Sequence, residues 1–517
     1  MKLLINGNIG DTLLETIRTN DLHIRAPCAG RGVCGKCRVL VSAGSSGSLL
    51  SPPDDRERAA LGDAALTNGV RLACLTRFLR AGSLEIELDD DGVVSPVEEI
   101  AVDFDRSVMD AASASGVPLR VAVDIGTTTL AVCLLDAASG KILSIRTEAN
   151  MQKSWGSDVV ARIQSVIDDR SALKAMQQAV VVQIERLVKD QLDAAGRKTG
   201  ELASITVAGN TVMMHLFTGE DPTGMSRVPF EPVFLELRNY RAGDCGFSFL
   251  SESKLIVLPG ISAFVGSDLS AGILATGLDR SEQYELLLDI GTNGEIVLGN
   301  RHGMLSTATA AGPAFEGAHI SHGCPGLPGA LDHAGFNTDG FWFTTIGNEK
   351  LKGICGSGLL DLAAGLLESG KLDPGGFLEL EDGSDEFYVD GDRTVCLTQD
   401  DIRQLQLAKG AMAAGVEVLC VNAGINTADI SRVHLAGGFG AFMNPDSALA
   451  IGLLPAGLRG KIVPVGNTSL QGAILTLTTE GALESLVGIA RKVRTIDLSV
   501  DPAFQNAFIE AMMFPGE

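Results

Sequence analysis

Leu286-Leu287-Leu288-Asp289-Ile290-Gly291-Thr292-Asn293-Gly294-Glu295 is an apolar run that ends in an aspartate, turns on glycine and departs again. The same phrase stands earlier in the chain as Val121-Ala122-Val123-Asp124-Ile125-Gly126-Thr127-Thr128-Thr129. Each is followed by a second apolar run, residues 130–135 and 296–298, so each reads as a β-hairpin with a Gly-centred turn. Ile205-Thr206-Val207-Ala208-Gly209-Asn210 and Val433-His434-Leu435-Ala436-Gly437-Gly438-Phe439-Gly440 read as strands that enter helices, one in each half. Val465-Gly466-Asn467-Thr468-Ser469 echoes Gly209-Asn210-Thr211 and supports the repeat without pointing to chemistry. A pattern that occurs twice predicts a duplicated α/β domain with a cleft between its halves.

The hairpins suit a nucleotide. No G-x4-G-K-[ST] is present, which removes a Walker-type loop. Gly126 and Gly291 permit close backbone approach, so N–H groups and the hydroxyls of Thr127, Thr128 and Thr292 can reach phosphate oxygens, with Asn293 in the second turn. Asp124 and Asp289, at the strand ends, can hold Mg²⁺ directly or through water. Glu295 is a candidate for orienting attacking water in phosphoryl transfer. Gly437 and Gly438 leave a turn with no side chains to lie against adenosine. The arrangement resembles the RNase H-like superfamily of acetate and sugar kinases, heat-shock chaperones and actin, which implies ATP binding at these residues.

A separate motif occupies the N-terminal region. Cys28, Cys34, Cys37 and Cys74 are spaced C-x5-C-x2-C, then a lone cysteine after 36 residues. The first three lie in a glycine-rich loop that can wrap the backbone around sulfur and aim N–H groups at it. The spacing is one residue longer than the plant ferredoxin pattern and marks these four as ligands of a [2Fe–2S] cluster. It resembles the adrenodoxin-type variant of a β-grasp-like ferredoxin module. Residues 2–5, 38–42 and 83–88 read as its strands, 12–18 as a helix and 54–61 as a solvated, charge-rich helix. The expected organisation is a ferredoxin-type domain over 1–92, a linker over 93–118 with room for one helix, and ATPase halves over 119–282 and 283–517.

Composition narrows the function. The 517 residues carry a net charge of −23, with 45% apolar and 5% aromatic side chains. An acidic chain argues against nucleic acid and anionic membrane surfaces as partners. No apolar stretch suggests a signal peptide or a membrane span, so a cytoplasmic protein is expected. Six further cysteines (Cys133, Cys245, Cys324, Cys355, Cys396 and Cys420) are scattered and read mostly as buried thiols. Cys355, between glycines at a helix start, reads as a small turn residue, and His215 as a satisfied core histidine. His319-x2-His322-x-Cys324 lacks a fourth metal ligand at typical spacing and reads as a cleft-lining turn.

A ferredoxin module joined to an actin-like ATPase resembles the reductive activators of corrinoid proteins, found with methyltransferases and O-demethylases. The resemblance spans nearly the whole chain. It includes Asn150-Met151-Gln152, Gly156-Ser157-Asp158-Val159, Met214-His215 and Gly353-Ile354-Cys355-Gly356-Ser357-Gly358. It implies cleft positions for Gln152 and Asp158, whereas the sequence alone makes Asp158 a solvated first-turn acid. It further implies ATP-driven delivery of one electron to an inactive Co(II) corrinoid, an external low-potential donor, a corrinoid-protein partner and a homodimer. The alternatives are an activator of another low-potential enzyme, of the dehydratase or aryl-reductase type, and a small-molecule kinase with a structural cluster. The dehydratase type shares one [4Fe–4S] cluster between subunits, which four cysteines in one module count against.

Overall fold

In the computed structural model the described residues are 2–19, 24, 30, 32, 35, 37–41, 49–88, 118–291, 293–338, 340–440 and 442–516. Cys28, Cys34, Thr292 and the expected linker up to residue 117 lie outside them.

The N-terminal module has four strands, β1 (Lys2–Gly7), β2 (Arg38–Val41), β3 (Val70–Leu72) and β4 (Gly82–Glu87), in the antiparallel order β1-β4-β2-β3. Alternation places Val39, Val41, Leu84 and Ile86 in a core shared with Leu13 and Ile17 of the Leu13–Thr19 helix. The Asp55–Thr67 helix is not simply solvated, as its charge suggested. Glu57 is buried, and its carboxylate accepts from Arg71 Nε and Nη2 at 2.9 and 3.0 Å and from Leu72 N at 2.7 Å. Thr76 Oγ1 donates to the same carboxylate at 3.2 Å. The network pins the turn from Leu72 to Thr76, which contains Cys74.

The remainder has two sheets with one plan. The first holds β5 (Leu119–Ile125), β6 (Thr129–Asp136), β7 (Ile142–Ala149), β8 (Leu202–Gly209), β9 (Arg238–Arg241) and β10 (Lys254–Val257), in the order β7-β6-β5-β8-β10-β9. The second half starts with β11 (Glu285–Ile290), β12 (Gly294–Asn300) and β13 (Gly303–Thr309). Then come a small sheet of β14 (Ala330–Asn337), β15 (Gly340–Thr345) and β16 (Gly353–Ile354) and a ribbon of β17 (Glu386–Tyr388) and β18 (Cys396–Thr398). β19 (Arg432–Ala436), β20 (Ile462–Gly466) and β21 (Val493–Thr495) complete its main sheet, β20-β19-β11-β12-β13-β21. In both halves an antiparallel three-strand meander is extended by two parallel strands beside its first strand. The central strands β5 and β11 are near-continuous apolar runs, as burial on both faces requires.

The halves meet through helices Ser267–Thr276 and Thr468–Thr478, each following the last parallel strand of its half. Val265-Gly266, with Gly272 in the helix, matches Val465-Gly466 and Gly472. A Cβ on Gly472 would lie 2.2 Å from the Ala271 carbonyl oxygen, and one on Gly272 would lie 2.9 Å from Thr468 Oγ1. Only glycine lets the helices approach this closely. Around the crossing, one apolar cluster draws Ala122 and Ala208 from the first sheet and Leu287 and Ala436 from the second.

The buried ion pair yields a stability expectation. Glu57→Ala leaves the Arg71 guanidinium buried without its acid, at a cost of ~3–5 kcal/mol. Urea unfolding should show the module of Glu57→Ala melting well before that of the parent. The Glu57→Ala/Arg71→Ala pair should recover part of the loss; a single variant as stable as the parent would remove the network from the account.

Candidate functional site

The first Asp-Ile-Gly-Thr turn is held from three directions by asparagines that cap helices. Asn150 accepts from Gln152 N at the start of the 3-10 turn Met151–Trp155 and donates to the Gly126 carbonyl at 2.7 Å. Asn210 caps the Thr211–Thr218 helix by accepting from Met213 N and donates to Thr127 Oγ1 at 2.9 Å. Asn467 caps the Thr468–Thr478 helix by accepting from Leu470 N and donates to Asp124 Oδ2 at 2.8 Å. Aspartate and serine cap as well, but only a carboxamide caps with its oxygen while donating from its nitrogen. Ser469 Oγ adds a 2.7 Å bond to Asp124 Oδ1. The segment 465–469 therefore does more than echo the first half: it orients Asp124 from the second half.

Beneath this turn Arg162 is fully buried, donating to the carbonyls of Gly156 and Thr127. Desolvation pulls its pKa down to about 9, against the opposing charges of Asp158 and Glu316. Asp158 is the N-cap of the Val159–Asp168 helix and accepts from Ala161 N at 2.7 Å. Gln152 is buried and donates to the Met176 carbonyl. Thr127 gives its hydroxyl to the Asn210 contact rather than to open space. Thr128 Oγ1 lies 2.9 and 2.8 Å from the two carboxylate oxygens of Glu316, across the cleft.

The second turn is built differently. Ile125 pairs with Leu130, but Ile290 pairs with Gly294, so the second loop is one residue shorter. That shift sets Glu295 opposite Asp289, on the same face, where the first hairpin has Ala131 opposite Asp124. Gly437, at φ +87°, backs onto Asp289: a Cβ there would lie 2.6 Å from Asp289 Oδ1. Gly438 faces open space, with nothing within 4 Å of a Cβ position. Gly291 bonds Asn293 O through its N–H at 3.0 Å.

A fourth carboxylate, Asp268, joins Asp124, Asp289 and Glu295 from the first turn of the Ser267–Thr276 helix. Desolvation and then Asp124 raise Asp289 to about 7, and desolvation and then Asp289 raise Asp268 to about 8. Glu295, the most buried, is pushed well above the carboxylate range by desolvation, then by Asp268 and Asp289. Asp124 is raised by desolvation, against the bonds from Ser469 and Asn467. Shifts of this kind concentrate at functional sites. Among the described residues no three His, Cys, Asp or Glu side chains form a ready metal cage. Asp268 is absent from the sequence reading; the second Val-Gly-x5-Gly repeat is the signal that points to it.

The other candidates resolve simply. His215 is buried, bonded to Thr211 O at 2.7 Å and Val233 N at 2.9 Å, and stacked on Phe234, a satisfied core histidine. Cys355 caps the Gly356–Glu368 helix with its backbone, and its thiol lies 3.0 Å from the Leu331 carbonyl. Burial raises the thiols of Cys245 and Cys420 to about 12 and about 11, which keeps them unreactive. His319, at φ +64°, His322 and Cys324 lie in one turn, where Gly323 N donates to the Ile320 carbonyl and Cys324 N to the Ile354 carbonyl.

In the N-terminal module Cys37 and Cys74 are buried with their sulfurs 3.3 Å apart. That exceeds a disulfide bond by more than 1 Å, and two thiols brought together from distant segments fit ligation of a shared iron. Cys28 and Cys34 belong to the residues not described.

Three family models match in succession: a 2Fe-2S iron-sulfur cluster binding domain over residues 3–79, the RACo middle region over 119–281, and the C-terminal ASKHA domain of RACo over 283–517. The chain is 29% identical to the corrinoid activation enzyme RamQ of Eubacterium limosum over 76% of its length and 70% of that protein. It is 26% identical to the [Co(II) methylated amine-specific corrinoid protein] reductase of Methanosarcina barkeri, over 75% of this chain and 76% of that one. A solved structure, a reductive activator for corrinoid, iron-sulfur protein, superposes with a TM-score of 0.70 at 28% identity, covering 98% of this chain and 96% of its own. Among the described residues no helix is long and apolar enough to cross a membrane.

Two outcomes follow for the cleft. Asn467→Asp keeps the helix cap but sets a carboxylate against Asp124; helix content should hold while MgATP affinity, read by calorimetry, falls roughly tenfold or more. The raised carboxyls hold protons that the unfolded chain has released above pH ~4. Without nucleotide or divalent cation, stability should therefore fall as pH rises from about 4 to about 8. Thermal melts across that window should show the slope, and Asp268→Asn should flatten it.

Proposed function

Because the chain belongs to the family of reductive activators of corrinoid proteins, we propose that it binds ATP in the cleft and passes one electron to the Co(II) corrinoid of a partner protein, yielding Co(I) for methyl transfer. The observation that carries this reading is the presence in one chain of the paired Cys37 and Cys74 sulfurs and the duplicated cleft floored by Asp124, Asp268, Asp289 and Glu295.

Each part has a task. A [2Fe–2S] cluster held by Cys28, Cys34, Cys37 and Cys74 supplies one-electron chemistry when bound. Clusters of this kind lie near −400 mV, and Co(II)/Co(I) couples are expected lower still. Each ~60 mV uphill is a tenfold penalty for one electron. Electron transfer alone supplies no energy, so the drive must enter as different affinities of two conformations for partner and nucleotide. The cleft lies between two halves that share a helix crossing, so a ligand bound there contacts both. Asp124 and Asp289 approach the Mg²⁺ of a bound nucleotide, Thr128 and the turn amides face its phosphates, and Gly438 leaves room for adenosine. Glu295 is buried beside Asp289 on the same face of the hairpin, a neighbouring carboxyl from which it can support the group that meets the metal. An external low-potential donor reloads the cluster, and the working unit is a homodimer.

The test mixes reconstituted protein, a low-potential donor, MgATP and a Co(II) corrinoid protein. Co(I) absorbance should grow only with ATP present, with two irons per chain. Asp289→Asn should retain the iron and lose the ATP-dependent rate by about 100-fold or more, since it removes a charge expected to face the metal. Failure of Co(I) to appear with every corrinoid protein tried, or the absorption and EPR signature of a [4Fe–4S] cluster in place of a [2Fe–2S] cluster in each chain, would sink the proposal.

A further inference from the structure

A carboxylate of this chain already sits where an anion would bind. The first turn points the Thr128 hydroxyl into the cleft, with the buried Arg162 guanidinium below it. Both oxygens of Glu316 lie within 2.9 Å of that hydroxyl. Glu316 comes from the second half, at the end of the 3-10 turn Pro313–Glu316. A hydroxyl has one proton to donate, so Thr128 serves either Glu316 or a phosphate oxygen, and two anions at one donor repel.

The same turn reaches the other end of the cleft. Phe315 stacks on Phe439 with ring centroids 5.0 Å apart and planes 13° from parallel. Phe439 follows Gly438, the position open to adenosine, and a Cβ on Gly356 would lie 1.9 Å from the Phe315 carbonyl oxygen. The Pro313–Glu316 turn is thus fixed beside the base position while its last side chain covers the phosphate position. Gly317 follows at φ +73°, a conformation that leaves the chain free to turn away directly after Glu316.

We propose that Glu316 is an internal stand-in for phosphate: it latches the first hairpin to the second half when the cleft is empty, and the polyphosphate of a nucleoside triphosphate displaces it. The inference rests on the reading of the cleft as a nucleotide site. Its consequence is a linkage between phosphate binding and one of the contacts that join the halves. Removing the latch strengthens triphosphate binding, and binding a triphosphate releases the Thr128 end of the hairpin while Asn467 and Ser469 keep hold of Asp124.

The experiment is calorimetric titration of full-length, cluster-loaded protein with MgATP and with adenosine. Wild type is compared with Glu316→Gln and Glu316→Ala, and amide exchange of residues 126–130 is measured on each without nucleotide. Glu316→Ala should bind MgATP roughly tenfold tighter, the equivalent of one charged hydrogen bond released, and adenosine equally well. Glu316→Gln keeps the acceptor without the charge and should fall between. Hairpin amides should exchange faster in Glu316→Ala than in wild type. Unchanged or weaker MgATP binding in Glu316→Ala, with wild type binding normally, overturns the latch and makes Glu316 part of the nucleotide cradle. Absence of MgATP binding in all three proteins overturns the nucleotide reading itself, and the latch with it.

Discussion

The carboxamide of asparagine does two jobs at once, and the cleft depends on it. Three helical segments with different positions in the chain begin at Asn150, Asn210 and Asn467. Each uses its side-chain oxygen to satisfy a helix N-terminus and its nitrogen to hold one atom of the turn at Asp124–Thr127. A helix start has donors to spare and wants an acceptor; a turn of carbonyls, hydroxyl and carboxylate wants donors. The turn is thereby tied to both halves and to the meander edge. Its geometry is set before any ligand arrives, which is the condition under which electrostatic contacts act without reorganisation.

Such a turn carries a standing cost. Asp124, Asp268, Asp289 and Glu295 share a poorly solvated floor, where Asp124 raises the pKa of Asp289, Asp289 that of Asp268, and Asp268 that of Glu295. Glycine alone fits where Gly437 backs onto Asp289. Protonation holds this cluster together, with hydrogen bonds to Asp124 from Asn467 and Ser469.

Much of this was legible in the sequence because it is written locally. The two Asp-Ile-Gly-Thr phrases announce hairpins, and the order of strands and helices around them announces duplication. The cysteine spacing announces a cluster loop. The family resemblance rested on those motifs and the matched models agree with it. What stayed hidden depends on distance through space. No local pattern marks Asp268, whose preceding strand β10 joins the sheet of β5 by pairing with β8, nor Asn467, whose amide nitrogen reaches Asp124 from the other half. Glu57 sits on a helix of mostly exposed charges, and only the strand it packs against shows that it is buried. Glu295 faces Asp289 because the second loop is one residue shorter, a register fact that no composition or periodicity reports.

The glycine crossing of the two central helices sets the mechanics of the molecule. With Gly472 against the Ala271 backbone and Gly272 against the Thr468 side chain, a shift by one residue that put a side chain at the Gly472 contact would drive it into the Ala271 carbonyl. Sliding is closed to the halves, and pivoting is not. The crossing is a fulcrum, and the cleft mouth is the long arm of the lever. A displacement of a fraction of an ångström at the helices becomes a larger excursion at the loops furthest from them. Any surface that must alter its shape to grip and release another protein gains most by lying on that outer arc.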